Sequence, residues 1–311
     1  MKKTLFVALT LALSCCTPGY TPTTPTLPTP SEPSVESHPI FYATIENEDD
    51  VRAFLDDKIR LRWTADDRIS LFEGTTRNKQ YKFLGETGDN AGEFDYVKAG
   101  FGSGNDVDRY YAVYPYASTN KLHEDGYITY TFPATQNYAV GSVGLGANVM
   151  VAVTADLDDY DLRFRNAGSY LRVMLYGENQ TVGSITMTAI GGEALTGKAY
   201  ITPNYGGTPT TQMIESGNTV TLNCGEGVTI GTTREEATAF WIVVPPFTAS
   251  QGISVTVRGY YGGSQTYNVT SEVPFIRNLY NTLTRELNIS SSGTGLGVSA
   301  WGEGSKVEGE I

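Results

Sequence analysis

The feature that most constrains this chain is an alternation of apolar and polar side chains, repeated in short segments from residue 40 onward. In residues 127–132, for example, Ile128, Tyr130 and Phe132 alternate with a second set of residues. Such alternation predicts half-buried β-strands, and the Gly, Asn, Asp and Pro residues between segments predict turns. Helical periodicity is weak everywhere, with residues 49–57 as the best helical candidate. A parallel sheet with alternating helices is therefore excluded, and antiparallel β-sandwiches are expected.

The predicted strands form two series that divide the chain about evenly. The first series comprises residues 41–45, 69–72, 80–84, 109–114, 127–132 and 148–154. The second comprises residues 169–176, 184–190, 198–202, 219–224, 240–244, 253–258, 266–270 and 280–289. A length of 311 residues suits about two domains. The acidic stretch at 156–161 cannot lie in a core, so it predicts a boundary near 162. We expect one β-sandwich over residues 40–162 and a second over 163–311 that includes a tail.

The first residues predict export. Lys2 and Lys3 precede an apolar run at residues 5–13, which is too short to span a bilayer but fits a secretory signal. Directly after it, Ser14-Cys15-Cys16 resembles a bacterial lipobox, in which a cysteine is acylated and becomes the first mature residue. Residues 1–15 are then the lipoprotein signal, with Cys16 slightly favoured over Cys15 as the lipidation site. An ordinary signal peptide is the alternative.

A linker rich in proline and threonine follows at residues 16–39. It contains seven of the 14 prolines of the chain. Prolines at this density block helix and sheet hydrogen bonds and favour extended polyproline II structure. We therefore expect this segment to hold the folded part of the chain away from the membrane.

Charge and residue types exclude several function classes. The net charge of −12 argues against a nucleic-acid partner, because phosphate contacts need clustered cations. With only two histidines, His38 and His123, the sequence offers little for nucleophilic catalysis or zinc binding. We predict no catalytic residue and no cofactor. A hydrolase that uses paired carboxylates stays open, because acidic residues are plentiful and their separation is a three-dimensional quantity.

Two acidic segments have both a metal-binding and a structural interpretation. Residues 105–108 and 156–161 could supply oxygen ligands to calcium. Solvated turns are favoured, because the glycine and the terminal glutamate of an EF-hand loop are missing. Cys224 has no cysteine partner beyond the N-terminal pair, so we expect a small buried apolar residue there.

Several tyrosines could stack on sugars or could pack in the core. The tyrosines that could stack on sugars are Tyr110, Tyr111, Tyr114, Tyr116, Tyr260 and Tyr261. Replacing Tyr110, Tyr116, Tyr261 and Trp301 by Ala would test this role. Because side chains at alternate strand positions share a face, Tyr110, Ala112 and Tyr114 point the same way. Packing in the core is therefore the favoured interpretation for that strand.

Five strings, taken in order, resemble the fimbrillin family of pilus subunits from gut and oral anaerobes. They are Trp63-Thr64-Ala65-Asp66-Asp67-Arg68-Ile69-Ser70-Leu71-Phe72, Tyr111-Ala112-Val113-Tyr114-Pro115-Tyr116, Phe132-Pro133-Ala134-Thr135-Gln136-Asn137-Tyr138, Phe240-Trp241-Ile242-Val243-Val244-Pro245-Pro246 and Phe275-Ile276-Arg277-Asn278. The resemblance covers residues 40–311. It implies two tandem transthyretin-like Greek-key β-sandwiches in a lipoprotein precursor that is carried to the outer membrane and displayed on the cell surface.

The resemblance also implies assembly by strand exchange with other pilin subunits, in a homo- or hetero-polymer. An Arg-specific protease removes the first strand with its lipid, and a strand of the neighbouring subunit fills the vacated groove. Phe41, Ala43 and Ile45 are the candidate groove plug. Arg52 is the first candidate for the cleavage site and Arg60 the second, although Arg52 as a solvated loop residue is an equal alternative. The candidate donor strand lies in the C-terminal tail, at Leu296, Val298 and Ala300.

The position of such a subunit in a pilus stays open among stalk, tip and anchor, and a host protein or glycan is a further partner that the resemblance allows. The alternative function is a monomeric cell-surface lipoprotein that binds glycans through exposed aromatic residues.

Overall fold

The regular secondary structure is almost entirely β-strand in this computed structural model, which describes residues 37–46, 61–215 and 217–289 and the backbone of 297–299. The first ten strands are β1 (Phe41–Ile45), β2 (Arg68–Phe72), β3 (Asn78–Phe83), β4 (Ala91–Ala99), β5 (Tyr111–Tyr114), β6 (Lys121–Leu122), β7 (Ile128–Phe132), β8 (Thr135–Asn137), β9 (Met150–Val153) and β10 (Asp161–Asn166).

Twelve further strands follow in the second half of the chain. They are β11 (Ser169–Tyr176), β12 (Thr181–Ala189), β13 (Gly197–Thr202), β14 (Thr210–Met213), β15 (Thr219–Thr229), β16 (Thr238–Val244), β17 (Phe247–Ala249), β18 (Ile253–Gly259), β19 (Ser264–Val269), β20 (Val273–Phe275), β21 (Tyr280–Glu286) and β22 (Gly297–Ser299). A 3-10 helix at Arg234–Glu236 precedes β16. No helix among the described residues is long and apolar enough to cross a membrane.

Seven strands of the first half close into a barrel in the order β1-β10-β9-β5-β2-β3-β4. Alternate residues of these strands point inward and fill the barrel around Trp63, whose ring centroid lies 5.0 Å from that of Phe94 and 5.3 Å from that of Phe164. Gly92 on β4 is required by this packing, because a Cβ there would lie 2.6 Å from the ring of Phe83. The aromatic side chains thus occupy the space that small residues leave in the strands.

Most of the strands after β10, together with β8, form a second layered core. The three-stranded sheet β16-β11-β21 packs against the larger sheet β22-β19-β18-β12-β15-β8 through one continuous apolar cluster. Cys224 lies buried in this cluster as expected, and burial raises the pKa of its thiol to about 12. The four-stranded sheet β14-β13-β7-β6 and the pair β17-β20 complete the fold.

Strand pairing crosses between the two halves of the chain. β7 pairs with β13, and β8 pairs with β15. The acidic stretch at 156–161 connects β9 to β10, which are paired in the barrel, and residue 162 lies inside β10. The chain therefore leaves the barrel after Asn166, and the division into two domains stays a prediction.

The all-β class and most of the predicted strands are confirmed, with ends that differ by a few residues. Seven strands were not predicted: β4, β6, β8, β10, β14, β17 and β20. Most of them are short or carry charged residues on their outward face, which hides the apolar alternation. Residues 49–57, the helical candidate, lie outside the described part of the chain.

Candidate functional site

β1 is a single strand between β10 and β4, and it completes the barrel. It runs parallel to β10, with Ala43 opposite Leu162, and antiparallel to β4, with Phe41 opposite Phe94. One further hydrogen bond lies just before β10: the Tyr42 N–H donates to the carbonyl of Tyr160 over 3.1 Å. Without β1, β10 and β4 would each present an unpaired row of backbone groups. The barrel would then have a groove in place of its first strand.

The inward side chains of β1 belong to the barrel core. Phe41, Ala43 and Ile45 are fully buried, whereas Tyr42 between them is 47% exposed. The ring of Phe41 meets Tyr110 edge-on, with their centroids 4.9 Å apart. The alternation predicted from the sequence is thus confirmed, and removing β1 would expose an apolar trough as well as backbone groups.

The N-terminal end of β1 is held by an ionic cluster around Glu73. His38 Nδ1 lies 2.9 Å from Glu73 Oε2, and the His38 ring stacks on Tyr96 with centroids 3.7 Å apart. The same carboxylate accepts from Lys79 Nζ at 2.9 Å and from the Tyr81 hydroxyl at 2.8 Å. Burial, and then the bond to Glu73, raises the pKa of the Tyr81 hydroxyl. The sequence predicts that His38 lies in the linker, whereas in the structure it packs against the barrel.

The C-terminal end of β1 is held by a buried carboxylate, Glu46, whose side chain is 3% exposed. Its Oε1 accepts from Arg277 Nη1 at 2.8 Å and from the backbone N–H of Asn166 at 2.7 Å. A second guanidinium lies near the other carboxylate oxygen, with Arg165 Nη1 3.7 Å from Glu46 Oε2. Arg277 Nη1 also donates to the Asn166 carbonyl over 2.8 Å. One carboxylate therefore joins β1, β10 and the loop between β20 and β21.

A buried polar network continues from this carboxylate into the second half of the chain. Asn166 Nδ2 donates to the Tyr170 hydroxyl at 2.6 Å and to Asn278 Oδ1 at 3.0 Å. The Tyr170 hydroxyl in turn donates to Asn148 Oδ1 at 2.6 Å. Burial raises the pKa of Tyr170, and the negative charge of Glu46 raises it further. Buried polar groups that hydrogen-bond to one another in this way restrict the arrangement of the strands around them.

One cleft lies beside the barrel and has a volume of about 210 Å³. Trp63 and Asn148 line it, and the Trp63 Nε1 and Asn148 Nδ2 donors have no partner among the described residues. None of the described residues that line this cleft is an Asp or Glu. The cleft therefore lacks the pair of carboxylates that a glycoside hydrolase needs.

Several predicted site residues lie outside the described part of the chain. These are Cys15, Cys16, Arg52, Arg60, Leu296, Ala300 and Trp301. Val298 lies in β22, which pairs in parallel with β19 and places Val298 opposite Thr266. Three residues of the predicted donor tail, 297–299, thus pair with β19 at one edge of the six-stranded sheet.

The acidic stretch at 156–161 uses its carboxylates to form turns. Asp159 Oδ2 accepts from the Ala155 N–H at 3.0 Å, and Asp156 Oδ1 accepts from the Asp158 N–H at 2.9 Å. These bonds close the chain locally, as Asx turns do. Among the described residues, no group of three His, Cys, Asp or Glu side chains is placed to hold a metal ion.

The tyrosines divide between the core and the surface. Tyr110, Ala112 and Tyr114 are buried together in the barrel, so the shared face predicted from the sequence is confirmed. Tyr261 is 77% exposed and meets Tyr260 edge-on. The set proposed for sugar stacking is therefore not assembled on one surface, because Tyr110 points into the core.

Sequence reasoning missed Glu46 and Arg277 as site residues. Glu46 follows the alternation of β1 directly, and Arg277 lies within one of the five strings that carry the family resemblance. An acidic residue next to an inward-facing position was the available signal. Its partner could not be identified, because Arg277 is 231 positions away along the chain.

No family model and no curated protein matches the chain. Its structural neighbours are cell adhesion and fimbrial proteins. A candidate cell adhesion protein of Bacteroides ovatus is 14% identical with a TM-score of 0.46, over 79% of this chain and 91% of that chain. One of Bacteroides uniformis is 16% identical with a TM-score of 0.43, over 82% and 94%. The tip fimbrial protein of Porphyromonas gingivalis, truncated at its C-terminus, is 9% identical with a TM-score of 0.34, over 79% and 94%.

Proposed function

We propose that this chain is a non-enzymatic fimbrial subunit that supports cell adhesion, made as an outer-membrane lipoprotein and assembled by β-strand exchange. Its barrel and its second layered core correspond, in this proposal, to the two transthyretin-like sandwiches of a fimbrillin. Cleavage after β1 frees the strand, and a strand from a neighbouring subunit takes its place. The five sequence strings support the family.

The single observation that carries the proposal is the position of β1, paired on both sides and buried on one face. Removal of such a strand leaves backbone donors and acceptors on β10 and β4 beside an apolar trough. A strand from another chain can satisfy both at once, which is the physical basis of β-augmentation. The affinity then comes from the backbone bonds, and the specificity comes from the inward side chains.

The proposed cleavage site is Arg52, with Arg60 as the second candidate. The chain without residues 1–16 should form polymers when an Arg-specific protease is added, as measured by size-exclusion chromatography with light scattering. The double variant Arg52→Gln, Arg60→Gln is the matched control and should stay monomeric. A wild-type chain that is cut at these residues, loses residues 37–46 and still remains monomeric would contradict the proposal.

The proposed membrane anchor is an acylated cysteine at the end of the signal, Cys16 or Cys15, with residues 16–39 as the spacer. Cells fed labelled palmitate should produce a labelled precursor, and Cys16→Ala or Cys15→Ala should identify the acylated residue by loss of the label. Retention of the full label in the double variant would remove the lipid anchor from the proposal.

A further inference from the structure

We propose that the strand replacing β1 must carry a carboxylate at the position of Glu46, and that Glu303 in the C-terminal tail of a second copy supplies it. The inference rests on the proposed function, because it needs β1 to be exchangeable. The partner is a strand with small or apolar residues at alternate positions and an acidic residue directly after the last inward one, as Glu46 follows Ile45.

The environment of Glu46 imposes this requirement. Once β1 leaves, Arg277 and Arg165 remain on either side of the vacated position, and the Asn166 N–H loses its acceptor. Arg277 is mostly buried while the groove is filled, with a side chain 16% exposed. A replacement strand without an acid at this position would therefore bury the charge of Arg277 again with no negative partner. Breaking a buried pair by removing one partner is strongly destabilising, because the other charge stays uncompensated. A donor strand with an apolar residue at this position would therefore bind weakly.

The other end of β1 imposes no such requirement. If His38 is lost, the Glu73 carboxylate still accepts from Lys79 Nζ and from the Tyr81 hydroxyl. Its charge remains paired, and both of its remaining partners belong to the barrel itself. Recognition of the incoming strand is thus concentrated at its C-terminal end, beside Arg277.

The tail of this chain contains a matching pattern, for a donor that runs in the same direction as β1. Placing Glu303 at the position of Glu46 puts Ala300 at the position of Ala43. Ala43 is fully buried and lies opposite Gly92, so a small residue suits this place. The same register fills the three inward positions with Val298, Ala300 and Gly302.

The competing registers are chemically worse. The register that points Leu296, Val298 and Ala300 inward puts Trp301 at the carboxylate position, where it leaves the backbone donor without an acceptor. Using Glu308 as the acid would bury Glu303 at the apolar position of Phe41. Using Glu310 as the acid would put Ser305 at the apolar position of Phe41. With Glu303 at the carboxylate position, Val298 takes the place of Phe41. Alternation alone would put Leu296 there, so the two registers differ by two residues.

The test measures binding of a fluorescein-labelled peptide of residues 294–311 to the chain after Arg-specific cleavage and removal of the β1 fragment. In this test the chain ends after residue 293, so that the tails of other copies do not occupy the groove. Fluorescence anisotropy compares the wild-type peptide with Glu303→Gln and with the matched control Glu310→Gln. The cleaved chain is also prepared as Arg277→Gln and as the control Arg163→Gln, which alters an exposed arginine of β10.

We expect Glu303→Gln to weaken binding at least about tenfold, because it leaves the guanidinium groups unpaired. Glu310→Gln should stay within about twofold, as expected of a residue outside the site. On the Arg277→Gln chain the difference between wild-type and Glu303→Gln peptides should largely disappear, whereas Arg163→Gln should preserve it. Such coupling identifies an interacting pair, which a general loss of folding would not do.

A second peptide, residues 37–46, separates the two levels of the proposal. If it binds and all three tail peptides bind equally well, the carboxylate requirement is overturned while strand exchange stands. If it binds and the tail peptide does not, the tail is not the occupant, and the inference is again overturned. If neither peptide binds, β1 is not exchangeable, and the proposed function fails together with the inference.

Discussion

β1 and β22 are the first and last strands of the described chain, and they are held in opposite ways. β1 has a partner on each side, five residues of pairing length and a fully buried inward face. β22 has three residues and one partner, the edge strand β19. Either strand can detach from its sheet without breaking the chain elsewhere, because each lies near a terminus. The consequences of leaving differ, because β1 closes a barrel and β22 lies at the edge of a sheet.

The two strands differ in what their departure would leave behind. A strand inserted between two others leaves a groove with two complementary edges when it departs, and this groove admits one replacement strand. An edge strand leaves behind only an edge, and it costs little to detach because few contacts hold it. A chain that combines both can therefore keep its groove closed and its tail available, as proposed for assembly.

The largest expected effect is loss of the β1 aromatic anchor. Phe41→Ala should lower the free energy of unfolding by about 3–5 kcal/mol, because a buried ring is replaced by a cavity in the barrel. Denaturant unfolding followed by tryptophan fluorescence measures it. Tyr42→Ala, at the exposed position next to it, should change the free energy by about 0.5 kcal/mol or less. Equal effects at the two positions would mean that β1 does not pack as described.

The next effect concerns the charge at the end of β1. Glu46→Gln should destabilise the intact chain by about 3 kcal/mol, because Arg277 then loses the negative charge that it faces in a mostly buried site. Glu93→Gln, on the exposed face of the neighbouring strand β4, is the control and should be close to neutral. A neutral result for Glu46→Gln would remove the asymmetry between the two ends of β1.

A smaller effect should appear in the pH dependence of the barrel. Burial raises the pKa of the Asp67 carboxyl, against hydrogen bonds from the Thr64 N–H and the Tyr114 hydroxyl that lower it. The folded state therefore binds this proton more tightly than the unfolded state. The resulting stabilisation is complete below the unfolded pKa of about 4 and is lost as pH rises through the raised folded pKa.

Asp67→Asn removes that titration and should flatten the stability profile from about pH 4 upward, in denaturant unfolding at a series of pH values. The adjacent Asp66→Asn is the control, since its side chain is 73% exposed. Its profile should follow that of the wild type. A wild-type chain that gains stability relative to Asp67→Asn as pH rises would contradict the sign.

The smallest expected effect is at β22. Ending the chain after residue 293 removes the pairing with β19 and should change the free energy of unfolding by about 1 kcal/mol or less, because three residues at an edge contribute few bonds. The same denaturant experiment measures it. Hydrogen exchange gives a second readout: amides of β1 should be protected far longer than those of β22. A loss of several kcal/mol on truncation would make β22 an integral strand instead of a detachable one.

The local alternation of side chains was sufficient to predict which face of several strands is buried. The alternation of Phe41, Ala43 and Ile45 identified which side of β1 is buried, because side chains along a strand point alternately to its two faces. The same rule applies to β10, where Leu162 and Phe164 point inward. There the charged residues at 156–161 obscure the alternation and favour a domain boundary near 162.

Long-range partners could not be obtained in that way. Nothing near Glu46 in the sequence indicates Arg277, and nothing in β7 or β8 indicates that they pair with strands of the second half. The all-β class, the buried faces and the candidate plug follow from local sequence, because each of these depends on neighbours within a few residues. The tertiary structure alone decided the closure of the barrel around β1 and the pairing of its last carboxylate, because both depend on segments that meet only when the whole chain has folded.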